Sequence, residues 1–248
     1  MRIRYLTLTP MLLALIAMPL QAAPVKDYHA VYHILPLQGE TPIGEYRVAQ
    51  RWDAKHERYV QRASIAFSWK VLFSTHRYQY QDEVQYGADN SLSYTLQENN
   101  DGKSRMVSGE LPAKGTALAL NISDQQGNSR KTIDKAQFDL TLFALRFPAP
   151  CTAERIGTQR RARLLIPISG EVALGLSRYV GITDLRLPGV AEPLKDLCLI
   201  ESTGNNKEMN RHSWVNRDGY LVYEISANYR LLLVPEASNL PSNHQEKP

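Results

Sequence analysis

Groups able to do acid–base chemistry crowd one short stretch of the chain, STHRYQYQDEVQYG at residues 74–87. In an extended segment, side chains alternate between two faces. His76, Tyr78, Tyr80, Asp82, Val84 and Tyr86 then share one side, and Arg77, Gln79, Gln81, Glu83 and Gln85 share the other. An imidazole beside a carboxylate or phenol is the equipment of a general base. The same tyrosines fit the wall of a partly wet cavity, because a buried phenol fills space yet needs a partner for its hydroxyl. A face that only needed filling would be served by Val, Ile or Phe. Core packing, ligand wall and a hydrolase-type site using His76 all remain open on this stretch. Asp82 sharpens the question. Left unpaired on the aromatic side it would be costly, so it needs a cation there, or a bulge at residues 81–83 that turns it outward.

Other chemistry is thin. His29 and His33 are four apart, a chelating distance on a helix, but on a strand they stand about 13 Å apart, too far for one ion. The pattern around them reads as a strand, so no metal site is predicted. No G-x-S-x-G elbow and no phosphate-binding P-loop occurs. Ser169, in LIPISGEV, falls in a hairpin turn. Asp82 and Glu83 face opposite ways, which argues against a carboxylate dyad. No catalytic residue and no cofactor is assigned. Cys151 and Cys198 are the two cysteines of the chain. In an oxidising compartment an even count favours a disulfide, and closing so long a loop stabilises by about 4 kcal/mol in the chain-entropy picture.

The compartment is read from the start of the chain. Arg2 and Arg4 precede a short apolar run at 11–20, and small residues follow at Ala22 and Ala23. Residues 1–23 therefore read as a cleaved signal peptide and place the protein in the periplasm. The run is too short to span a bilayer, which needs about 20 residues. The formal charge of +4 falls to +2 once Arg2 and Arg4 are removed. That excludes a strongly basic nucleic-acid binder. The densest basic run, RIGTQRRAR at 155–163, reads as a solvated loop entering a strand, or as an anion or lipid-headgroup contact.

The elements that must hold these residues are mainly β. Residues 24–234 form a single domain of period-two segments separated by close turn signals, an antiparallel meander. Residues 235–248 read as a disordered tail. One segment departs from this period. In KAQFDLTLFALRF, at 135–147, Phe138, Leu142 and Leu145 recur at helical spacing, and Pro148 and Pro150 stop the run. A long sheet twists and curls, so the expected architecture is a half-barrel or barrel with this one short helix against its concave face.

Several pieces together carry a resemblance: PIGEYRV, VLFSTHRYQYQDEVQYGADNSLSYTLQENNDGKSRMVSGEL, LLIPISGEV and WVNRDGYLVYEI. They resemble a family of exported bacterial proteins of unknown function with an IG-x-(H/Y)-R strand, an aromatic YRY…E strand and a DGK turn. The matching positions are Ile43, Gly44, Tyr46, Arg47, Tyr78, Tyr80, Glu83, Asp101, Gly102 and Lys103. Exported domains of this kind are similar to the LolA/LolB-like half-barrels, which hold lipid chains. Local chemistry also explains several of these positions. Asp101-Gly102 suits a hairpin turn, Gly44 suits close strand packing, and Arg47 with Glu83 suits a cross-strand ion pair.

The resulting expectation is a non-catalytic periplasmic binding protein for an amphipathic or lipid-like ligand, with no nucleic acid and no transmembrane span. His76, Tyr78, Tyr80 and Phe138 would line its site. The alternatives are an envelope assembly factor with a protein partner and an enzyme built on His76.

Overall fold

Alternating apolar and polar side chains build nearly everything in the computed structural model, which describes residues 27–71, 74–141, 152, 154–187, 192–205 and 209–241. The first eight strands are β1 (Tyr28–Leu35), β2 (Gly44–Asp53), β3 (Arg58–Val71), β4 (Ser74–Gly87), β5 (Leu92–Asn100), β6 (Lys103–Leu111), β7 (Ala117–Asp124) and β8 (Gly127–Asp134). The remainder are β9 (Leu140–Thr141), β10 (Gln159–Ile166), β11 (Glu171–Leu185), β12 (Leu194–Gly204), β13 (Arg211–Val215), β14 (Leu221–Ile225) and β15 (Arg230–Leu233). All fifteen join one sheet in the order β8-β7-β6-β5-β4-β3-β2-β1-β15-β14-β13-β12-β11-β10-β9. Two meanders therefore meet at the centre, where β1 pairs with β2 on one side and β15 on the other. Among the described pairs, only the β9–β10 contact is parallel.

The linker between the meanders forces the sheet to curl. Laid flat, fifteen strands spaced about 4.8 Å apart would hold the edge strands β8 and β9 roughly 67 Å apart. Asp134 ends β8 and Leu140 begins β9, and that stretch of chain reaches at most about 20 Å. The sheet is accordingly strongly curved, although it does not close, because β8 and β9 are not hydrogen-bonded to each other. The linker is pinned at both ends. Lys135 N donates to Thr116 O at 2.8 Å, and Asp139 N donates to Arg163 O at 2.8 Å. The Arg163 guanidinium returns the contact to Asp139 (Nη2 to Oδ1, 2.7 Å) and also donates to Ala136 O. Hydrogen bonds from Arg163 hold the Asp139 carboxyl down at about 2.

The helix expected over 135–147 is not what the described part of this segment forms. Lys135–Gln137 make a single 3-10 turn capped by the Asp134 side chain, Phe138 is extended, and Leu140–Thr141 pair as a strand. Residues 142–147 lie outside the described residues. Phe138 is buried in a core cluster as an extended residue.

Each arm of the curled sheet covers the other. Tyr28, Tyr32, Tyr46, Val48 and Ala63 of β1–β3 pack against Tyr179, Cys198, Ile200, Val215 and Leu221 of β11–β14. Val84, Tyr94, Leu96, Val107, Leu118, Leu120 and Ile133 of β4–β8 receive Leu165 of β10. The β10–β11 turn completes the second contact: Tyr94 Oη donates to Pro167 O at 3.3 Å, and Lys131 Nζ donates to Ser169 O at 2.8 Å. Ser169 is thus a turn residue, as its neighbour Gly170 with a φ of +66° also shows.

Gly44 is a site of close packing: a Cβ there would lie 2.1 Å from Ala66 O. Arg47 and Glu83 do not pair, because β3 runs between their strands. Arg47 instead contacts Glu45 at 2.6 Å, and Glu83 contacts Arg62 at 2.7 Å. In the segment expected to be disordered, Pro235–Ala237 form a 3-10 turn, Asn239 bridges to His29, and Ser238 Oγ accepts from Val31 N. Residues 242–248 lie outside the described residues. Cys198 is disulfide-bonded, and Cys151, the other cysteine of the chain, lies outside the described residues. No helix among the described residues is long and apolar enough to cross a membrane.

Candidate functional site: a hollow between the two arms

β4 keeps strict alternation from end to end, with no bulge against β3 or β5. His76, Tyr78, Tyr80, Asp82, Val84 and Tyr86 therefore project to the concave side. Across the β3–β4 ladder, Trp69 opposes His76, Phe67 opposes Tyr78 and Ile65 opposes Tyr80. Directly opposed side chains are the closest neighbours in a sheet, and here Trp69 stacks on His76 while Phe67 meets Tyr78 at a tilt. Trp69 and His76 lie 5.2 Å apart between ring centroids, and so do Phe67 and Tyr78. Phe67 also approaches Tyr229 from the other arm, at 6.5 Å.

Where the arms separate past the first core, a hollow of about 470 Å³ remains. One wall is Phe67, Tyr78, Tyr80, Asp82 and Glu98 of β3–β5. The facing wall comes from the β10–β11 turn at 166–168, from Met209 and Arg211, and from 226–231. Its size is within the roughly 300–1,000 Å³ usual for small-molecule sites. Two larger depressions, of about 630 and 780 Å³, lie over outward-facing residues such as His33, Arg47, Gln79 and Gln97, and are shallower.

The hollow is apolar with a few fixed polar groups. Tyr78 Oη donates to Glu98 Oε1 at 2.9 Å, and Tyr80 Oη donates to Asp82 Oδ2 at 2.8 Å. Asp82 Oδ1 accepts from Ala63 N at 3.1 Å. Asp82 thus takes neither course anticipated for it: among the described residues there is no bulge and no cation partner, and the carboxylate stays on the aromatic face, held by a phenol and a backbone amide. Burial pushes it up to about 6, against the lowering effect of those two hydrogen bonds. Burial and the Asp82 charge push the Tyr80 hydroxyl well above the usual phenol range. On the opposite wall, Arg211 Nη1 stands 3.6 Å from Oε1 of the buried Glu224, whose other oxygen accepts from Ser213 Oγ at 3.0 Å.

The four residues expected to line a site divide. Tyr78 and Tyr80 line the hollow. His76 lies one rung beyond it on the ladder, half-exposed, with Nδ1 2.6 Å from Asp101 Oδ2. Asp101 and Gly102, with φ of +51° and +81°, form the β5–β6 turn. Asp101 Oδ1 accepts from Arg77 N at 2.6 Å, so this carboxylate ties the turn to the start of β4. Among the described residues His76 hydrogen-bonds no hydroxyl or thiol. Phe138 belongs to the second core cluster and is not among the lining residues. His29 and His33 sit on the outer side of β1, and no group of three or more metal-ligating side chains occurs among the described residues.

Sequence reasoning missed Phe67, Glu98, Arg211 and Tyr229. Phe67 and Glu98 are direct cross-strand neighbours of Tyr78 and Tyr80, so the hairpin turns held enough information to find them. Arg211 and Tyr229 arrive from the other arm, and no local signal marks them.

No family model matches the chain, and no curated protein matches it. Among solved structures, the chain is similar to a beta-barrel-like protein of a domain of unknown function, DUF1849, from Brucella abortus. The two are 8% identical with a TM-score of 0.59, covering 88% of this chain and 99% of that one. The likeness is one of fold: an all-β, barrel-like arrangement.

Proposed function

We propose that this chain is a non-catalytic binding protein that holds an amphipathic or lipid-like molecule between the arms of its curled sheet, in the periplasm after loss of residues 1–23. The observation that carries the reading is the 470 Å³ hollow itself. It is walled by Ile65, Phe67, Ile168, Tyr229 and Leu231, with oriented carboxylates and phenols at fixed points. A mostly apolar concavity with a few convergent polar groups is the usual form of a small-molecule site. The resemblance to lipid-holding half-barrels points the same way, as an analogy of architecture alone. The His76–Asp101 pair would favour an enzyme, but it already has a structural task at the β5–β6 turn.

Titration with N-phenyl-1-naphthylamine, a neutral apolar dye that brightens on burial, tests the reading. The chain should bind it saturably. Ile65→Trp, which fills the hollow, should weaken binding at least about tenfold while the thermal midpoint confirms a folded chain. Equal binding by that folded variant would contradict the assignment. Recovery of the protein from a periplasmic extract with its first residue at 23 or 24 tests the export reading.

A further inference from the structure

Resting on this binding reading, we infer that the occupant is a cationic amphiphile: an apolar tail with an ammonium or other amine head. Among the described lining residues Asp82 and Glu98 are the acids and Arg211 is the base. The Arg211 charge is already balanced by Glu224, which is 1% exposed and lies 3.6 Å away. The wall itself is left with two carboxylates, and Arg105, which opposes Glu98 from β6, is paired with Asp124 at 3.4 Å.

The hydrogen bonds have the same polarity. An anionic head needs donors, yet the Tyr78 and Tyr80 hydroxyls donate to Glu98 and Asp82. The carboxylates beside these phenols keep acceptor capacity, while the side-chain amides of Asn100 and Asn228 on the rim serve a head of either sign. Among the described residues Glu98 accepts only from Tyr78, so one of its oxygens has no donor. The rings complete the picture. Phe67, Tyr78 and Tyr229 cluster with centroids 5.2 and 6.5 Å apart, and ring faces attract cations, most strongly where water is excluded. An anion placed here would meet Asp82 and Glu98 in a medium that screens poorly. A cation would meet two opposite charges and the rings, while Ile34, Ile65, Ile166, Ile168 and Leu231 take the tail.

Calorimetric titration near neutral pH compares decyltrimethylammonium, decyl sulfate and decyl maltoside below their micelle-forming concentrations, with tetramethylammonium as the head alone. The decyl cation should bind about tenfold tighter than the maltoside, and the sulfate more weakly than either. Glu98→Gln should reduce that preference several-fold. Asp82→Asn should do the same, and because Asp82 is buried, the half-exposed Glu98 gives the decisive variant. Sulfate binding as tightly as the cation, or a preference that survives Glu98→Gln, would overturn the charge assignment and leave the binding reading standing. Tetramethylammonium binding as tightly as the decyl cation would show that the tail plays no part, and would overturn the amphiphile. Binding of none of the four would overturn both readings.

Discussion

Asp82 is the residue whose behaviour tells most about the hollow. A carboxylate usually leaves a sheet core because ionised burial is expensive. This one stays, at 8% exposure, because Tyr80 and Ala63 hold both oxygens. Its value of about 6 stands above the ordinary 3.8. The folded chain therefore binds this proton more tightly than the unfolded chain does. The ionised group costs stability above pH 6, and that cost is relieved as pH falls from about 6 to about 4, a gap worth roughly 3 kcal/mol. Urea unfolding of wild type and Asp82→Asn at pH 7 and pH 4 checks this. The wild type should gain roughly 2 kcal/mol on the variant between pH 7 and pH 4, whereas a constant difference would mean that Asp82 titrates normally. Counting from Tyr78 put Asp82 on the aromatic side but left open a bulge that would turn it outward, an alternative that the unbroken register of β4 removes. Its partners were not legible, because Ala63 N belongs to the neighbouring strand and only the register brings it close.

At the scale of elements, the strands were the readable part and the cover was not. Alternation and turn residues gave the antiparallel meander, and the alternating stretch at 74–87 is β4 at those bounds. The segment at 138–145 misled because a short apolar run carries two periods at once. Phe138, Leu142 and Leu145 repeat every three or four positions, yet Phe138 is extended, with φ −134° and ψ 152°. It needs no helix to be buried, since it joins the core cluster that also holds Ile133 and Leu165. The DGK turn and Gly44 show motif positions explained by packing. Gly44→Ala would drive a methyl group into Ala66 O and Phe67, and overpacking of this kind costs about 1–3 kcal/mol. A loss of that size in a denaturant midpoint is expected. A neutral outcome would mean that the β2–β3 ladder yields more readily than its spacing implies.

The whole molecule is decided by contacts that no window of sequence contains. Tyr32 Oη donates to Leu221 O across 189 positions, and Tyr94 Oη to Pro167 O across 73. The linker that bends the sheet is short enough to demand curvature, but its consequence appears only when the strand order is known. Leu165 tests whether the arms stabilise each other. It is fully buried against β4–β8 from the opposite arm, so Leu165→Ala should cost about 2–5 kcal/mol. Amide exchange should then accelerate in β7 and β8 together with β10. Acceleration in β10 alone would mean that the arms are independent layers.

The central claim is that an amphiphile lies between those arms. Photolabelling with a decylammonium probe carrying a diazirine at the tail end, followed by peptide mapping, tests it most directly. Labels are predicted on both walls, within residues 65–80 of one arm and within 166–168 or 226–231 of the other. Labels confined to outward-facing residues such as His33, Arg47 or Gln97, with none on either wall, would contradict it.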